Sequence, residues 1–153
     1  MSEKQKKYHV AYQAAKVICA TYFDLPFEKL MLSNEKLTPS TNDPLIKHEL
    51  EARVKMLLAG MVACDIKFRE HASSAKIDLD EAKETINRMI KEYGMGTSLI
   101  AAEHEEENLM NRLYEETKLL LESLMDVMSS VESVLMERES ITKADVKKLI
   151  DDI

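Results

Sequence analysis

Only three glycines and three prolines punctuate a chain of 153 residues. Glycine and proline are the usual residues of tight turns, so so few of them leave little room for a many-stranded fold. Long helices joined by few connections are predicted, in about one domain's length of chain. Apolar residues make up 45% and charged residues 32%, the balance of a globular protein. The fold class expected is mainly α: one helical domain over 1–153, with at most a short β element near 28–33.

The same composition excludes several classes of function. The longest apolar run, Met56 to Cys64, is too short to cross a bilayer. The N-terminal MSEKQKKYHV has charge but no apolar h-region, so neither a signal peptide nor membrane insertion by this chain is expected. With 21 Lys and Arg against 28 Asp and Glu the net charge is −7, which argues against nucleic-acid binding. Cys19 and Cys64 cannot make a disulfide scaffold and read as a reduced, cytoplasmic thiol pair. No G-x-x-x-x-G-K-[ST] loop is present, so no ATPase module is expected here.

Helical periodicity places the elements. Tyr8, Ala11, Tyr12, Ala15, Ile18, Cys19 and Tyr22 stripe a first amphipathic helix from about Glu3 to Phe23. Asp24-Leu25-Pro26 ends it, because the residue before proline avoids the helical region. A second helix is expected from Pro44 to Phe68 with Asp43 as N-cap. Its middle, Val54 to Ala63, is apolar on nearly every side and should be the centre of the core. A third runs from Asp78 to Tyr93, opened by Asp78-x-x-Glu81 as a capping box and closed by Gly94. After the acidic Glu103 to Glu107, one stripe from Leu109 to Leu135 predicts a fourth helix of some eight turns. Ile141-Thr142 opens a last short helix capped by Thr142.

Three stretches resemble the peptidase domain of FtsH-type ATP-dependent zinc metalloproteases. DLDEAKETINRMIKEYGMG is similar to the family's ND-I-E-R-A-T-x-x-A-R-x-M-V-x-x-Y-G-M. LLAGMVACDIKF resembles L-L-G-G-R-A-A-E-E-x-x-F, and LMERESITKADVKKLI resembles L-L-E-x-E-T-L-x-x-x-E-I-x-x-I-L. The resemblance implies a first helix carrying A-Y-H-E-A-G-H-A, in which two histidines four apart bind zinc and the glutamate works on the metal-bound water. Here Tyr8, His9, Ala11 and Ala14 match that motif, with Val10 at the glutamate and Gln13 at the second histidine. A register shifted by four aligns Tyr12 with the motif tyrosine but loses both histidines. In either register the glutamate is gone. The family's third ligand, an aspartate, falls on Asp78, while the acidic pair after G-G-R-A-A reads Cys64-Asp65.

A metal set of His9, Gln13 and Asp78 is therefore vestigial. Glutamine offers a neutral amide oxygen in place of imidazole, and Val10 cannot accept a proton. Each residue also has a plainer reading: His9 as a boundary histidine, Asp78 as an N-cap, Cys64 as a small core residue. Cys64, His9 and Asp78 together would suit zinc by type, though nothing in the sequence brings them together.

The expected function is a catalytically inactive FtsH-like metallopeptidase domain with a structural or protein-interaction role. No cofactor is expected, though zinc is possible. The resemblance implies ring assembly under an AAA ATPase, so the expected partners are copies of the chain itself or an FtsH-like protease. The alternative is an ATP-dependent zinc peptidase with altered ligands, its ATPase part on another chain or outside this sequence. A third reading limits the likeness to the fold, since fold does not carry function.

Overall fold

A computed structural model describes residues 1–152. The described residues form six helices, the second of them central, and two three-residue strands that join the chain's first third to its end. The helices are α1 (Glu3–Tyr22), α2 (Lys47–Phe68), α3 (Lys76–Lys91), α4 (Glu105–Ser123), α5 (Met125–Arg138) and α6 (Lys143–Asp151). The strands are β1 (Lys29–Met31) and β2 (Ser140–Thr142). Among the described residues no helix is long and apolar enough to cross a membrane.

The all-round apolar segment of α2 is central, as its sequence requires. Val54 and Met56 through Cys64 are buried, and α2 packs against α1, α3 and α4. Helix α1 is more enclosed than an amphipathic stripe implies: every residue from Val10 to Thr21 is buried. The reason is its position, with α2, α5 and α6 packed against it and residues 32–35 bonded to its polar side chains. Gly60 lets α1 and α2 approach, since a Cβ there would lie 2.4 Å from the Tyr12 ring.

The short β element falls within 28–33, but it has a partner that periodicity did not show. β1 pairs antiparallel with β2, Leu30 opposite Ile141, both buried. Thr142 then caps α6, its hydroxyl accepting from the Asp145 N–H at 3.2 Å.

Three helix boundaries differ from the sequence reading. Helix α2 begins after Ile46, whose N–H donates to the Glu49 carboxylate at 3.0 Å, while Asp43 donates its own N–H to Thr41 Oγ1 in the preceding loop. Helix α3 begins at Lys76, because a 3-10 turn over Ser73–Ala75 runs straight into it. Asp78 is thus inside the first turn and is not the N-cap. The expected eight-turn helix is two helices, broken at Leu124 (φ −117, ψ 25). Its apolar stripe keeps phase through the break, but the partner changes: α4 lies on α2 and α5 on α1. Gly94 takes φ +63 as expected of a helix terminator, and the following Met95 N–H returns to the Met89 carbonyl at 2.9 Å.

Candidate functional site

Helix α1 presents polar side chains at 9, 12, 13 and 16 from an otherwise apolar body, and all four find partners inside the protein. A helix places residues three and four apart on one face, so His9, Gln13 and Lys16 share a side. His9 Nε2 donates to the Leu32 carbonyl. Gln13 Nε2 donates to the same carbonyl at 3.3 Å and to that of Asn34 at 2.6 Å. Lys16 Nζ reaches the Glu35 carbonyl at 3.5 Å. The chain leaving β1 is thereby fastened along the helix by its own backbone carbonyls.

Asp78 meets a different pair. Its Oδ2 accepts from the Tyr12 hydroxyl at 2.6 Å and from the Lys16 ammonium at 2.9 Å. Tyr12 and Lys16 are four apart on α1, and the first turn of α3 brings the carboxylate to them. Lys16 is 2% exposed and Asp78 4%, so the ion pair is out of water. Burial, and then the Asp78 charge beside it, push the Tyr12 hydroxyl well above its ordinary value, so it remains a donor. Lys16 and Asp78 both line a cleft of about 660 Å³ that Thr38, Arg53, Met56 and Glu81 also border.

Sequence reasoning singled out His9, Gln13 and Asp78. The hydrogen bonds join His9 to Gln13 through Leu32, and Asp78 to Tyr12 and Lys16. Tyr12 and Lys16 were missed. Lys16 carried a usable signal: it is the lone charge in the apolar stretch Ala14 to Ala20. Such a lysine is nearly always paired when buried.

As arranged, these residues do not fit a zinc ion. His9 donates its Nε2–H to the Leu32 carbonyl, which leaves Nδ1 as its single lone pair for a metal. Gln13 directs its amide nitrogen to the carbonyls, and the atom it leaves free, the buried Oε1, is a neutral amide oxygen and a weak zinc ligand. Asp78 Oδ2 is already shared by an ammonium and a phenol. Among the described residues no group of three His, Cys, Asp or Glu side chains is placed to hold a metal ion, so His9, Cys64 and Asp78 do not form one.

Both cysteines are buried, as small core residues are. Burial pushes the Cys19 thiol up to about 12 and the Cys64 thiol up to about 11. Neither should react with a thiolate-seeking disulfide reagent at pH 8 in the folded protein, and both should react once it is unfolded. The same shift has a sign for stability. The unfolded thiols ionise near 9 while the folded ones stay neutral, so their contribution is full below pH 9 and is lost as pH rises toward 11 and 12. An alkaline melt with a transition that falls above pH 9 would bear this out, and rapid native labelling would contradict it.

The sequence profile of peptidase family M41 matches residues 32–108, half of the chain. The chain belongs to peptidase family M41. The matched stretch holds α2, α3 and Asp78 but begins after α1, where the family's zinc motif is expected. Curated relatives carry the likeness further. The ATP-dependent zinc metalloprotease FtsH 2 of Symbiobacterium thermophilum is 31% identical over 137 residues, spanning 74% of this chain and 23% of the relative. FtsH 2 of a Thermoanaerobacter species is 32% identical over 118 residues, 69% of this chain and 23% of its own. FtsH of Rhodococcus erythropolis is 26% identical over 135 residues, 69% of this chain and 16% of its own. The chain thus spans under a quarter of the length of these relatives.

Proposed function

We propose that this M41 domain is catalytically inactive and serves as a structural or protein-interaction module, with copies of itself or an FtsH-like protease as partner. One observation carries the reading: the face of α1 where the resemblance puts zinc ligands is bonded to the protein's own backbone. His9, Gln13 and Lys16 donate to the carbonyls of Leu32, Asn34 and Glu35. His9, Gln13 and Asp78 are then remnants of a ligand set, reused to fasten elements together. The chemistry argues the same way. Hydrolysis of a peptide at a metal-bound water needs a nearby base, and Val10 is a hydrocarbon at that place. No cofactor is required for the role, and a cytoplasmic location suits two free, buried thiols.

The test is cleavage of casein by the purified chain, with and without zinc and with and without chelator. No cleavage above background is expected in any condition. Zinc-dependent cleavage abolished by chelator would overturn the reading. Light scattering of the chain alone, and then mixed with an FtsH-type protease, separates self-association from a partner role.

A further inference from the structure

We propose that Lys16 is a resident cation on Asp78, standing where a divalent metal would otherwise bind that carboxylate and making the fold independent of metal. The inference rests on the inactive-domain reading and says what replaced the metal. A structural metal ties together elements distant in sequence, and Lys16 does the same. Its ammonium, carried on α1, is 2.9 Å from Asp78 on α3 and 3.5 Å from the Glu35 carbonyl after β1. Three segments therefore meet at one positive charge.

The charge arithmetic is closed. One buried ammonium faces one buried carboxylate, 2% and 4% exposed as residues, and the Tyr12 hydroxyl supplies a further donor to the same oxygen. A divalent ion binding Asp78 would have to sit beside the ammonium or displace it. The first is opposed by like-charge repulsion in a weakly screened interior. The second leaves a lysine buried without its counter-ion. Lys16 therefore competes with metal for the same carboxylate, whichever helix residues supply the other ligands. Tyr12 and Lys16, four apart on α1, are the pair bonded to Asp78, and neither is a zinc ligand of the usual kind.

The experiment is thermal melting of the wild-type chain as purified, with excess EDTA and with excess zinc chloride, beside Lys16→Met, Asp78→Leu and the double variant. The three wild-type melts should coincide. Each single variant should melt roughly 10 °C lower, as for a broken buried pair in a domain of this size. The double variant should lose less than the sum of the two, because no charge is left alone. A wild-type melting temperature lowered by EDTA, or losses that simply add, would overturn the proposal. The wild-type melts decide the matter even if a variant does not fold. Casein cleavage by a protein whose melt ignores EDTA would sink the proposed function and leave the role of Lys16 standing. An EDTA-sensitive melt without cleavage would do the reverse.

Discussion

Asp78→Ala is expected to destabilise the fold by about 3–5 kcal/mol, the range for stripping one partner from a buried ion pair. The cause is the lysine left behind. Lys16 is 2% exposed, and without the carboxylate its nearest acceptor is the Glu35 carbonyl at 3.5 Å. The Tyr12 hydroxyl loses its acceptor in the same step. A natural domain is stable by only about 5–15 kcal/mol, so this one change removes a large share. The size of the loss also separates two accounts of Asp78. A carboxylate that merely capped α3 would cost about 1 kcal/mol on removal. Urea melts of wild type and variant decide it: a loss near 1 kcal/mol would show that the pair with Lys16 contributes little.

Gly60→Val is expected to cost about 3 kcal/mol, at the upper end of what overpacking a core usually costs. An ideal Cβ at Gly60 lies 2.4 Å from two ring carbons of Tyr12 and 2.5 Å from a third. Tyr12 is 5% exposed, and its hydroxyl is tied to Asp78 at 2.6 Å, so the ring has little freedom to withdraw. Moving it strains the bond to the carboxylate that also holds Lys16. Helix propensity gives a counterweight, since valine is slightly the better helix former, by a few tenths of a kcal/mol, and it does not reverse the sign. The diagnostic comparison is Gly60→Val in a Tyr12→Ala background. There the valine should be tolerated far better, giving a strongly non-additive pair. Equal cost in both backgrounds would place the strain elsewhere.

Much of the fold was legible because burial follows periodicity. The apolar run from Val54 to Ala63 announced the central helix, and Gly94 announced the end of α3. What escaped was decided by tertiary partners. The break at Leu124 leaves no trace in the stripe, because Leu121, Leu124, Val127 and Met128 stay apolar across it while the packing partner changes from α2 to α1. β2 was hidden because a three-residue strand has too few residues to show alternation. Asp78 had the look of an N-cap, and nothing nearby in sequence tells that Tyr12 and Lys16, far back on α1, would claim it. The family resemblance singled out Asp78 and α1. It could not tell which side chains of that helix face the carboxylate, since a helical face is set by how α1 and α3 pack.

The zinc content of the natively purified protein tests most directly whether this M41 domain has exchanged metal chemistry for internal bonds. Elemental analysis of protein prepared without added metal or chelator should find only trace zinc per chain. One zinc per chain, removed by chelator, would contradict the account.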